Sequence, residues 1–527
     1  MKDFAVDVFG VKKIGANRWR KEFFWPVTDD EYFALVREIS RVFFDQVRNT
    51  SQTLQDIMLS NVALLQQYSM IMHTLLVITR IREMGYDLVF DDRSRYYSDI
   101  LAQRNAEPAG QVRPSFSQRF RNNLKHMIKL LGRNHFSCGS IVKKVMTEKR
   151  VVSLGSFGHL KGEYCRRNKL IVSHMSSIDF LRLLPSTAQR HAKVEEIEER
   201  TDCLVERLLE VSRGIGLFSD EFLERYLKGV SAQMLYISYW VYWKIIRDFA
   251  RKIDLLLLGE VAKPLNKAIS FGLKNRFGTR IVGFEHGNTF GCHLSPFFAA
   301  NELSHCDEYV VSTKKSIRNY VEAQKESICP YGIETQISST GTDFYRILAS
   351  KNHQCPLPRK IETVMLIGFP MNQYRYLGFP GHFSMMHLHL ELRLLDFMNR
   401  MGFRTVYKVH PDRKKEAEGI FEEFSGSVTS EPFENVVHLC DAYLFAHTDT
   451  SAFGIAVCTN RPIIVIEIEG KIWRGNSFEL VSKRCRIVQA WIDKWGRVIF
   501  DEKCLKEALR EEVEEPNQEY FQGLMID

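Results

Sequence analysis

Paired cysteines are missing from this chain. None of its eleven cysteines falls in a Cys-x-x-Cys spacing, and their placement suits neither a zinc site nor a disulfide framework. Reduced thiols of a cytosolic protein are the expectation. Long apolar runs are missing too: 70–78 and 234–243 come nearest to a membrane span, but both are short and include polar residues. The opening residues, Met-Lys-Asp-Phe-Ala-Val-Asp-Val-Phe, mix acids with apolar side chains and offer no small-residue cleavage site, so a secretory signal is not expected. There is no Walker sequence, no Gly-x-Gly-x-x-Gly, no Asp-x-Asp pair at a strand end and no internal repeat. These absences argue against an integral membrane protein and a disulfide scaffold.

What is present reads as a folded chain of more than one core, with 527 residues, 45% hydrophobic and 26% charged. The net charge of +8 is unevenly placed. Residues 113–169 hold fourteen Lys/Arg against Glu148 and Glu163, so the remainder is slightly acidic. Such a field suits an anionic membrane surface, an anionic polymer or nucleic acid, and a solvated helical face explains it equally well.

Helical periodicity covers 29–84, with a charged helix at 193–213 and an aromatic one at 231–252 whose stripe reads as core. Between them, Gly155-Ser156-Phe-Gly158-His159-Leu-Lys161-Gly162 follows a short strand. It is either a phosphate-cradling turn or, the better-weighted reading, a plain one. From 253 onward short apolar runs alternate with helices, pause at a Pro-containing linker near 351–360, and alternate again. The expected class is α/β, two Rossmann-like domains facing a cleft behind a mainly helical N-terminal extension. The expected boundaries are 1–350 for the first domain, Rossmann-like from 250, then 360–500 for the second. A terminal helix and a loose tail follow at 503–527.

Chemistry gathers at three strand ends. In Lys408-Val-His410-Pro411, the lysine and histidine share a face two residues apart, and proline stiffens the turn. Thr448-Asp449-Thr450-Ser451 runs into a helix, an arrangement that holds an anion or simply caps the helix. Glu285-His286-Gly287-Asn288 exposes a carboxylate and an imidazole in the other half, either of which could take a proton from an acceptor hydroxyl.

In order and content these segments, with Ile337-Ser-Ser-Thr-Gly341-Thr342-Asp343 and Arg461-Pro462-Ile-Ile, resemble the surface- and capsular-polysaccharide glycosyltransferases. The similarity is to the CDP-glycerol glycerophosphotransferase-like group, with Kdo transferase and bacterial polysialyltransferase relatives. It spans about 250–480, with Glu285 where that group typically has Gln. The resemblance implies a GT-B-type, inverting enzyme needing neither metal nor cofactor, with a nucleotide-activated donor, CMP- or CDP-linked by first expectation. Lys408, His410, Pro411, Thr448, Thr450 and Ser451 would bind the donor, Glu285 or His286 would be the base, and Gly287 and Asn288 would meet the acceptor. A glycan or lipid-linked acceptor is the implied partner, with no nucleic acid expected. The expected location is cytoplasmic, with 113–169 available to touch the inner face of the cell membrane. An epimerase or hydrolase of the same fold, and a non-catalytic scaffold binding membrane or nucleic acid, stay open as alternatives.

Overall fold

The computed structural model describes residues 2–90, 95–104, 150–182, 194–213, 218–286, 290–293, 297–327, 331–352, 356–369, 383–469 and 473–527. Gly287, Asn288 and most of the basic segment lie outside them. A small parallel ribbon pairs β1 (Lys2–Ala5) with β2 (Tyr86–Val89). Two larger sheets organise the rest.

The first sheet contains β3 (Val151–Leu154), β4 (Val172–Met175), β5 (Leu255–Leu258), β6 (Arg280–Phe284), β7 (Glu308–Val311) and β8 (Gln336–Ser339). All are parallel, in the order β4-β3-β5-β6-β7-β8. The second holds β9 (Thr363–Ile367), β10 (Arg404–Lys408), β11 (Ser427–Thr429), β12 (Ala442–Phe445), β13 (Ile463–Ile468), β14 (Arg486–Ile492) and β15 (Val498–Phe500). Their order is β11-β10-β9-β12-β13-β14-β15, with only the β14–β15 pair antiparallel. Runs such as Leu255-Leu-Leu-Leu258 and Ile463-Ile-Val-Ile466 form central strands because a parallel sheet covered on both faces excludes water from both sides of each strand. Leu256, Leu257, Leu258 and Ile464 are fully buried. These are the two Rossmann-like units that the alternation predicted. In the first, winding reverses between β3 and β5; in the second, between β9 and β12. The crevice outside the carboxyl ends of the strands at such a reversal is where open α/β sheets bind ligands.

Several boundaries differ from expectation. The first sheet starts at Val151, not near 250, because β3 and β4 join it across the helical insertion. Residues 2–27, assigned by sequence to the first domain, pack on the second. Phe4, Trp19, Phe23 and Trp25 share a core with helix Phe383–Arg400 and with Val364 and Leu366 of β9. His389 Nε2 lies 3.0 Å from the Arg20 carbonyl. Within the helical stretch expected over 29–84, the second part breaks into Gln52–Ser60 and Ala63–Glu83, which meet at 59°. Buried Asn61 sits at the break and donates to the Ile57 carbonyl at 2.7 Å. These two helices share one core with Asp29–Arg48, Val194–Ser212 and Asp220–Asp248, which forms the helical extension. No single helix among the described residues is long and apolar enough to cross a membrane.

The tail expected to be loose is ordered by burial. Tyr520, Leu524 and Met525 are buried in the second domain's core. From there the chain crosses to the first sheet, where Thr313 Oγ1 donates to the Leu524 carbonyl at 2.6 Å and the Lys314 amide to the Asp527 carboxylate at 2.6 Å.

Candidate functional site

At the reversal point of the second sheet the strand ends lie flush because Gly368 follows β9. A Cβ there would sit 2.4 Å from the Tyr407 hydroxyl oxygen. Beneath it lies a buried polar network. The Arg413 guanidinium donates to the Phe369 carbonyl (2.8 Å), the Glu391 carboxylate (2.8 Å) and the Tyr407 hydroxyl oxygen (2.7 Å). Glu391 also accepts from the Tyr407 hydroxyl (2.8 Å) and from the Phe369 amide. Arg413 and Glu391 have no exposed side-chain surface. Burial works against the guanidinium charge, but Glu391 and Tyr407 outweigh it and hold the group above its ordinary value. This pair fixes the turns after β9 and β10 that carry Phe369 and His410.

His410 is half-buried, and its carbonyl accepts from the Arg413 amide at 3.0 Å, which closes the Pro411–Arg413 turn. Lys408 is 5% exposed and donates to the Val409 carbonyl at 2.7 Å, so its ammonium is turned back on its own strand. Burial lowers it, with Lys414 adding to the effect and Glu434 and Glu431 opposing. His447, buried at the end of β12, sits edge-on to Phe369 (4.8 Å), and Phe369 stacks on His387 (4.1 Å). Thr450 caps helix Ser451–Val457, accepting from the Ala452 amide at 3.4 Å, and Ser451 is exposed.

Across the cleft, Glu285 follows β6. Its carboxylate accepts from the Ser312 amide (2.7 Å), the Tyr320 hydroxyl (2.7 Å) and the Phe290 amide (3.3 Å). These bonds pin the loop to the first domain. His286, 55% exposed at its side chain, has Nδ1 3.6 Å from the Glu302 carboxylate.

The two halves meet through residues that sequence reasoning did not single out. His293 Nε2 lies 2.9 Å from Thr448 Oγ1 and 3.1 Å from Asp449 Oδ1, and its ring centroid is 4.0 Å from that of Trp473. Main chain joins as well: His293 forms an antiparallel bridge with Trp473, and the Arg474 amide donates to the Cys292 carbonyl at 2.9 Å. Buried Arg474 adds a bond from Nε to the His293 carbonyl (3.0 Å) and an ion pair with Glu326. The loop that follows His286 is therefore anchored at its far end to the strand-end segment holding Thr448. Lys408 takes no part in that network. Asp449 stood in a polar strand-end motif, but His293, Trp473 and Arg474 occupy stretches with no motif, and only their mutual contact marks them. A cavity of about 830 Å³ near Arg461, Arg486 and Glu511 opens at the opposite edge, where β13 and β14 begin. Arg486 there donates to the main-chain carbonyls of Ala508 and Glu512, which makes that cavity part of the packing of the terminal helix.

No family model and no curated protein matches the chain. Among solved structures, Os79 from O. sativa in complex with UDP and deoxynivalenol-3-glucoside is similar at a TM-score of 0.34 and 11% identity, covering 71% of this chain and 94% of that one. UDP-GlcNAc 2-epimerase from Methanocaldococcus jannaschii is similar at a TM-score of 0.32 and 11% identity, covering 70% and 95%. The fold assignment rests on the two sheets themselves.

Proposed function

We propose that the protein is an inverting transferase that moves a glycosyl or polyol-phosphate group from a nucleotide-activated donor to a glycan or lipid-linked hydroxyl, without a metal. What supports this reading is the contact between the two parallel-sheet edges through His293 and Thr448, with His410, Thr450 and Ser451 following strands of one sheet and His286 following a strand of the other. Donors of this kind at a strand edge suit a phosphate, and an exposed imidazole opposite suits an acceptor hydroxyl.

His286 is the base in this reading. Its partner Glu302 steadies the imidazolium that forms when it takes the acceptor proton, and Glu285, held by three hydrogen bonds, positions the loop. The freed oxygen attacks the donor carbon or phosphorus. The bond to the nucleotide phosphate breaks, and its charge is received by His410, Thr450 and Ser451. A cytidine nucleotide is the first choice, on the motif resemblance alone.

A thermal-shift panel of CMP, CDP, UDP and GDP identifies the nucleotide, because a ligand that binds only the folded state raises the unfolding temperature. His410→Ala should abolish that rise and lower transfer by about 10²–10³-fold, the usual loss for one donor to a developing charge. Full activity in His410→Ala sinks the donor-site assignment. Donor turnover without an acceptor favours an epimerase or hydrolase instead.

A further inference from the structure

Two turns meet at the reversal point of the first sheet. After β3 the chain runs Gly155-Ser156-Phe157-Gly158 into helix His159–Arg167, and after β5 it runs Gly259-Glu260. Position 259 has no room for a side chain. A Cβ there would lie 2.0 Å from the Ser156 carbonyl oxygen, 2.9 Å from Lys161 Nζ and 2.9 Å from Ser156 Oγ. An ammonium and a hydroxyl therefore converge on one point of the crevice.

Lys161 is 1% exposed, and its two hydrogen-bond acceptors, Ser153 Oγ (2.9 Å) and the Leu154 carbonyl (3.0 Å), are both neutral. No carboxylate lies within ion-pair distance of it among the described residues; the nearby Glu260 pairs with Lys263 at 2.7 Å. Phe157, 41% exposed, covers the ammonium with its ring centroid 5.7 Å away. The helix opens at Gly158 without a side-chain cap, so its first-turn amides lack intrahelical acceptors beside the same turn. Burial lowers the Lys161 ammonium to about 7, with Cys165 and Glu260 opposing it from beyond ion-pair contact. An arriving anion would supply what the protein withholds.

We propose that this crevice binds an oxyanion, the phosphate or carboxylate group of an anionic saccharide, with Lys161 as counter-charge and Ser156 as hydrogen-bond donor. Ser156 Oγ now donates to the Gly259 carbonyl at 3.1 Å and turns to the anion on binding. Exposed Phe157 and the stacked pair His159–Phe344, with centroids 4.2 Å apart, offer flat faces near the crevice for the apolar side of a sugar ring. Naming the ligand an acceptor rests on the transferase reading. The anion site itself rests on the first sheet alone.

Acetic anhydride labelling of the full chain, read at Lys161 by mass spectrometry, tests this in phosphate, in glucuronate and in chloride of equal ionic strength. Labelling should fall by about tenfold once the anion exceeds its Kd tenfold. Protection by phosphate alone assigns a phosphorylated ligand, and protection by glucuronate a carboxylated one. Equal labelling in all three overturns the proposal, as does no labelling in any, since a crevice that admits phosphate admits a reagent of that size. Nucleotide-induced thermal shift in the same samples separates the two readings. Its absence with Lys161 still protected sinks the donor site and leaves this one, and the converse sinks only this one.

Discussion

At the reversal point of each sheet a cation lies buried beneath the turns, Arg413 in the second and Lys161 in the first, and the two are solved differently. Under the second sheet Arg413 meets Glu391, Tyr407 and a carbonyl, and its charge is matched inside the fold. Under the first, Lys161 meets a hydroxyl and a carbonyl, and among the described residues no carboxylate forms an ion pair with it, Glu260 acting only from farther off. A matched buried pair holds backbone in place and has no net charge left to offer a ligand. An unmatched one keeps its field for whatever enters the crevice. The guanidinium suits the first task because it stays charged when buried, and the lysine suits the second because its ammonium is a compact point charge that an arriving anion can hold protonated.

The largest effect should come from removing the matched cation. Arg413→Met leaves Glu391 buried without its counter-charge and should lower unfolding stability by about 3–5 kcal/mol. Lys161→Met, measured by the same urea titration at pH 7, should change it by less than about 1.5 kcal/mol, since only neutral hydrogen bonds are lost and a stranded charge goes with them. Equal losses would erase the distinction.

Acidity sharpens the contrast further. Between the folded value of about 7 and the ordinary lysine value of 10.5, the unfolded chain holds a proton on Lys161 that the folded chain has released. Stability relative to Lys161→Met should therefore rise with pH through that window, with the full penalty present below pH 7. A flat difference would mean that the ammonium already has a counter-ion. The smallest effect concerns the tail that ties the two domains together. Thr313→Val removes one bond to Leu524 and should cost about 0.5–1.5 kcal/mol, visible as faster amide exchange over 520–527. Unchanged exchange there would mean that apolar burial of Tyr520 and Met525 alone holds the crossing.

Much of the second domain was legible because its strands are continuous apolar runs ending in Gly, His or hydroxyl residues. The alternation of Thr363–Ile367, Arg404–Lys408 and Ala442–Phe445 with helices leaves few other arrangements. The first domain was legible only from β5 onward. Val151–Leu154 is a strand of ordinary strength, separated from Leu255–Leu258 by about a hundred residues of helix and loop, and no local pattern says that the two pair. Lys161 stood in a glycine-rich turn that read more readily as a plain turn than as a phosphate cradle, and only the pairing of β5 with β3 buries it against Gly259. Glu285 and His286 were visible as a polar strand end, but that the Glu285 carboxylate is bonded within the first domain depended on Ser312 and Tyr320 arriving from β7 and the helix after it.

Composition and periodicity determined by themselves that this is a two-core α/β chain with polar strand ends, because the apolar spacing of strands and helices is a local property. Tertiary structure decided which strand ends share an edge, which cation finds a carboxylate, and where residues 2–27 and 520–527 dock. Those outcomes depend on contacts between segments hundreds of residues apart, and the free energy of such a contact belongs to the pair, not to either segment's own sequence.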